Sequence, residues 1–215
     1  MIEEIRDDLL KFSHNRAYHH YINQKAEQYI KEYHNVSNTP TGKDMEYIQD
    51  IRTPQKHYED ICKGWLVEDM IDYLFHLPTF QDLDLLWNNH DKDRHIRVAR
   101  NQITSSPDFK IVYQYKVIPL EVQSQFKKHN FFHIKENKAK RLIEKGSSLV
   151  QVHVKNKEIY LFRPVDILLG NKTHIKAFGG KIGYHYSLDE IQPLKITDFI
   201  NDLPKRIISL FGNCL

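Results

Sequence analysis

The sequence predicts an α/β fold, with a central mixed β-sheet flanked by helices and an N-terminal helical segment in front of it. Three observations carry that prediction. Apolar residues recur mostly every three or four positions over residues 2–33, and again from Pro54 to about His76, as in helices with one buried face. Between Asp108 and Gln123, two short apolar segments flank a tight polar turn. From Leu149 to Phe162 a further strand–turn–strand pattern follows a lysine-rich stretch, so strands and helices alternate as in a helix-covered sheet.

Composition bounds the answer before any motif does. With 215 residues, 40% of them hydrophobic and 27% charged, the chain is long enough for one proper core with an appended segment. The organisation expected is an N-terminal helical segment over 1–52, an α/β core over 53–170, and a C-terminal hairpin and helix over 171–215 packed on that core. A net charge of +3 permits an anionic partner and does not demand one. Cys62 and Cys214 are the only cysteines and form no Cys-x-x-Cys pair, which argues against cysteine-held zinc. The opening MIEEIRDDLLKF lacks the positive start and apolar run of a signal peptide, and no apolar stretch approaches the ~20 residues that span a bilayer. A cytoplasmic protein with reduced thiols and no membrane association is expected.

In chain order, Ile5, Leu9, Phe12, Tyr18, Ile22, Ala26, Tyr29 and Tyr33 mark one long helix or two. Ser37 to Gly42 reads as a loop, followed by a short helical turn around Met45–Ile51. Thr53-Pro54 reads as an N-cap followed by proline at the first helical position. The helix it opens buries Tyr58, Ile61, Trp65, Leu66, Met70, Tyr73 and Leu74, and carries Glu68, Asp69 and Asp72. Asp84–Trp87 is a predicted strand, while His95–Ile103 fits a strand and a helical turn equally well. Phe126–Gly146 reads as a basic helix with Phe131, Ile134, Leu142 and Ile143 on its buried side and Gly146 as C-cap. Leu149–Val154 and Glu158–Phe162 are strands joined at Asn156-Lys157. The glycines of Gly179-Gly180-Lys181-Ile182-Gly183 lack the spacing of a phosphate-binding loop, so a turn is expected there. Ile196, Phe199, Ile200 and Leu203 have helical spacing. The histidines, thirteen in all, are scattered rather than set at ligand spacing and are read as surface residues. No Ser-His or Cys-His signature is present.

The chemistry concentrates between Ser105 and Gln123. In a strand, Leu120 and Val122 point one way while Glu121 and Gln123 point the other. A hairpin then sets the Glu121 carboxylate beside Asp108. Two acids so held suit Mg²⁺, which wants hard oxygen ligands and takes only one or two carboxylates from a protein.

The pattern Pro107-Asp108, twelve intervening residues, then Glu121-Val122-Gln123 resembles the PD-(D/E)xK nuclease superfamily, the fold of many restriction endonucleases. The likeness covers roughly Lys63 to Ile167. Gln123 stands where the family usually has lysine, and some of its restriction enzymes that cut GATC-core sites also carry Glu-x-Gln. The resemblance implies a restriction-endonuclease-like sheet and Mg²⁺-dependent hydrolysis of DNA, with Mn²⁺ able to substitute. It makes Asp108 and Glu121 direct metal ligands, the Val122 carbonyl a third, and Glu68 a fourth that binds directly or through water. Gln123 would meet the attacking water, with a lysine from the following helix (Lys127, Lys135 or Lys138, Lys135 slightly preferred) restoring the missing charge. It also implies a homodimer on double-stranded DNA. Lys127, Lys128, Lys135 and Lys138 would contact phosphates, and either Arg94, Arg97 and Arg100 or the Lys172–Tyr186 hairpin would meet base edges. The alternatives are a non-catalytic nucleic-acid-binding protein on the same fold, a phage, repair or junction nuclease, and an interaction protein whose acids carry no chemistry.

Overall fold

The computed structural model describes residues 1–35, 53–75, 77, 84–87, 107–113, 116–191, 194–196 and 209. They form a mixed α/β structure with two sheets. None of its helices, among the described residues, is long and apolar enough to cross a membrane.

The N-terminal periodicity resolves into two helices, α1 (Ile2–Leu9) and α2 (Arg16–His34). The break is set by Asn15, whose side chain accepts the Ala17 and Tyr18 N–H groups at 2.8 and 3.1 Å and so caps α2. Helix α3 (Pro54–Phe75) starts as expected, with Thr53 Oγ1 accepting the Lys56 N–H at 3.2 Å. Three phenol–carboxylate hydrogen bonds tie the middle helix pair together. Tyr21 donates to Asp72 (2.9 Å), Tyr29 to Asp69 (2.6 Å), and Tyr58 on α3 to Glu32 on α2 (2.6 Å).

Strands β1 (Asp84–Trp87), β2 (Phe109–Tyr113) and β3 (Lys116–Gln125) form an antiparallel run in which Phe109 faces Leu120. Strand β4 (Phe131–Lys135) and helix α4 (Glu136–Glu144) then lead to β5 (Ser148–His153), which lies parallel to β3, and β6 (Glu158–Phe162) turns back on β5. Strands β7 (Asn171–Ile175) and β8 (Lys181–Ser187) make a hairpin, and α5 (Leu188–Ile191) leads to β9 (Leu194–Ile196) beside β6. The larger sheet runs β1-β2-β3-β5-β6-β9 and the smaller β4-β8-β7.

Strand alternation divides the interior into two apolar clusters. Leu120, Val122, Val150, Val152, Ile159 and Leu161 face α1–α3, while Leu149, Tyr160 and Phe162 face Phe132, Ile134, Leu142 and Tyr186 on the other side. Glu121 and Gln123 therefore belong to the side covered by α4 and the smaller sheet.

Three expectations need correction. The basic helix over Phe126–Gly146 is a loop, then β4, then the much shorter α4. Asn-Phe-Phe-His-Ile-Lys alternates with period two, burying Phe132 and Ile134 while Phe131 stays half-exposed on the opposite face. The helical end alone reads correctly, since Gly146 (φ 61°) closes α4 with Gly146 N–H to Ile143 O and Ser147 N–H to Leu142 O. Ile196 ends strand β9 instead of opening a helix. His153, expected at the surface, is fully buried edge-on to Phe132 and Tyr160, and burial lowers its pKa so that the neutral ring is favoured. The turn at Gly179 and Gly180 is as expected, with φ values of 67° and 78° that only glycine adopts readily. The loop at 37–42, the turn at 45–51, the segment 95–103 and the positions Phe199, Ile200 and Leu203 lie outside the described residues.

Candidate functional site

Asp108 stands immediately before β2. Extending the Phe109–Leu120 register by one residue sets it opposite Glu121, so both carboxylates leave the same face of the hairpin. The next residue back is Pro107, where β2 pairing has stopped. There the Asp108 carboxylate takes over as acceptor, and Val122 donates its backbone N–H to Asp108 Oδ2 at 2.7 Å. Val122, whose carbonyl the resemblance puts on the metal, thus also supplies the donor that orients Asp108.

Glu68 arrives from α3, which packs on β3. Asp108 is pushed well above the ordinary aspartate range, first by burial, then by the negative charges of Glu68 and Glu121. The Val122 N–H and the Lys138 charge act in the opposite direction but do not outweigh them. Three acids, one just before β2, one on β3 and one on α3, therefore share one electrostatic environment. Lys138 enters it from α4, with Nζ 2.6 Å from Glu121 Oε1, and the Glu121 side chain is only 16% exposed.

Of the three candidate lysines, Lys138 contacts Glu121, while Lys135 is exposed at the last position of β4. The choice of Lys135 followed from the supposed helix; with β4 ending at 135, the first turn of α4 carries Lys138 over Glu121. Lys127 and Lys128 are exposed in the loop after β3. Arg94, Arg97 and Arg100 lie outside the described residues.

Gln123 is on the predicted face but is engaged differently. Its Nε2 donates to the His133 carbonyl at 3.0 Å, and Gln125 Nε2 does the same to the Phe131 carbonyl at 3.0 Å. Both amides tether β4 to the underside of β3. Asp69 and Asp72, also on α3, are buried and hydrogen-bonded to the tyrosines of α2.

A divalent cation fits the carboxylates through their charge. Asp108 and its two acidic neighbours repel one another, and a cation would relieve that repulsion. Among the described residues no three His, Cys, Asp or Glu side chains are drawn together as a ready-made metal cage. Mg²⁺ keeps several waters and seldom uses such a cage. No protein-family model matches the chain, and no curated protein matches it.

Proposed function

We propose that the chain is a Mg²⁺-dependent DNA endonuclease of restriction type, its larger sheet and covering helices arranged like a restriction-endonuclease core. The observation that carries this reading is the crowding of the Asp108 carboxyl by Glu68 and Glu121, with the Lys138 ammonium against Glu121. Asp108 and Glu121 would hold the ion, with Glu68 and the Val122 carbonyl completing the protein's share. Bound Mg²⁺ would lower the pKa of a water nucleophile and neutralise charge on the phosphate and the leaving oxygen.

The chain's own residues divide the remaining work. Val122 N–H fixes the Asp108 carboxylate in one orientation. Lys138 neutralises Glu121 before substrate arrives and supplies, within reach of the phosphate, the positive charge that Gln123 cannot carry. Gln123 holds β4, and with it the start of α4, in register with the hairpin. A second protomer with its own site would cut the other strand, and the exposed Lys127, Lys128 and Lys135 would meet phosphates.

The test is incubation of supercoiled plasmid with the protein in Mg²⁺ and in EDTA. Discrete fragments in Mg²⁺ alone support a restriction-type enzyme, whereas a smear points to a less selective phage, repair or junction nuclease. Intact plasmid in Mg²⁺ and in Mn²⁺ overturns the enzymatic reading. The engagement of Gln123 with β4 favours one rival, a nucleic-acid-binding protein without catalysis; a gel shift in Ca²⁺ with no cutting in Mg²⁺ is its signature.

A further inference from the structure

The smaller sheet carries a second constellation that the nuclease reading leaves unused. Strand β4 pairs with β8 so that His133 lies directly across from His185. Alternation turns both rings away from the cluster that buries Phe132, Ile134 and Tyr186. His133 Nε2 and His185 Nδ1 stand 3.0 Å apart. Phe131 packs on the two rings with centroids at 5.1 and 5.3 Å, and His129 stacks on Phe131 at 4.7 Å. Both histidines are half-buried, so one side of the pair is open to solvent while Phe131 covers another.

As a hydrogen bond, this contact needs a proton on one of the two facing nitrogens. If each ring instead carries its proton on the far nitrogen (Nδ1 of His133, Nε2 of His185), two lone pairs converge on one point. Tetrahedral zinc with Zn–N distances of about 2.0–2.1 Å separates its ligand nitrogens by about 3.3 Å, a few tenths more than the gap present here. The rings must be neutral to ligate. Burial, followed by the His185 and His129 charges, lowers the His133 pKa and favours that form.

We propose that His133 and His185 form a two-imidazole chelating site for a zinc-class divalent transition cation, separate from the carboxylate site. Imidazole pairs take zinc, nickel or copper and leave Mg²⁺ to oxygen ligands, so the two sites select different ions. Among the described residues no third His, Cys, Asp or Glu completes a cluster, so the remaining positions belong to water or to an external ligand. The ion would join β8 to β4, whose backbone also receives Gln123 and Gln125, and would stabilise the folded chain by binding only its native form.

The test is titration of the metal-stripped full chain with Zn²⁺ against a chromophoric chelator, with thermal melting in parallel. His133→Gln, His185→Gln and Glu121→Ala are compared with wild type. Zinc is expected to raise the melting temperature and to bind about tenfold or more weakly in either glutamine variant. Glu121→Ala and excess Mg²⁺ are expected to leave the histidine-dependent zinc binding unchanged. Imidazole ¹⁵N shifts of the wild-type protein give a readout that needs no variant to fold, with zinc perturbing His133 Nε2 and His185 Nδ1. Equal binding in all variants, loss with Glu121→Ala, shifts at other histidines only, or no effect in large molar excess of zinc would each overturn the assignment.

Discussion

The Lys138 ammonium lies 2.6 Å from Glu121 Oε1, so the helix after β4 brings a cation to the strand that also carries Gln123. Lys138→Ala is expected to reduce cleavage by roughly 10²–10³-fold, the scale of losing one preorganised charge at a transition state. Lys138→Arg should retain part of the rate. Initial rates on plasmid at saturating Mg²⁺ measure this, and an unchanged rate in Lys138→Ala would remove the residue from the proposed site.

Asp108→Ala and Glu121→Ala are each expected to abolish Mg²⁺-dependent cutting while the circular dichroism spectrum stays native. Either variant cutting at the normal rate would rule out the carboxylate site.

The crowding of Asp108 has a thermodynamic cost with a defined sign. Its native pKa is raised, so the folded protein is more stable in the protonated state, and that stability is lost as pH rises toward and through the elevated native value. Asp108→Asn should therefore melt higher than wild type at alkaline pH, with the gain vanishing below about pH 4, the ordinary aspartate range. The asparagine Oδ1 can still accept the Val122 N–H. Melting curves across pH settle it, and a variant less stable than wild type at every pH would contradict the crowding.

The amide tethers beneath β3 give a prediction free of catalysis. Gln125→Ala removes the donor to the Phe131 carbonyl and should cost about 1–3 kcal/mol if that carbonyl stays dry. Gln123→Ala should act alike on the His133 carbonyl. Urea denaturation measures both.

Gly170 lies against Tyr186, and a Cβ there would come within 2.5 Å of the ring. That ring cannot swing aside. It is fully buried, stacks on Phe132 at 4.6 Å, and donates its hydroxyl to the Ile167 carbonyl at 2.8 Å. Gly170→Ala is expected to destabilise by about 1–3 kcal/mol through overpacking, read as a lower denaturation midpoint.

Much of this architecture was legible in the sequence where one local rule acted alone. Thr53-Pro54, the alternation from Leu120 to Gln123, the Asn156-Lys157 turn and Gly146 each follow from the chemistry of a few neighbouring residues. Spacing alone leaves one helix or two open, since Ile5–Leu9 and Tyr18–Ile22 each keep helical spacing while the cap at Asn15 is made by a side chain that periodicity does not encode. Residues 126–146 misled for a related reason, since lysine abundance says helix surface while Phe131 to Lys135 alternates too briefly to outvote it. The supposed helix also favoured Lys135 over Lys138. The joining of Glu68 to Asp108 depends on tertiary packing, which no periodicity encodes, and the pairing of His133 with His185 needs β4 and β8, which are far apart in the chain, to meet in one register.

The three tyrosine–carboxylate bonds between α2 and α3 act as a detent on the height of α3. Sliding the helix by one turn, about 5.4 Å, would break all of them together and carry Glu68 out of range of Asp108. Phenylalanine at positions 21, 29 and 58 would keep the packing but remove the stops, so the acidity of the hairpin aspartate would become a gauge of how far an N-terminal helix pair had crept.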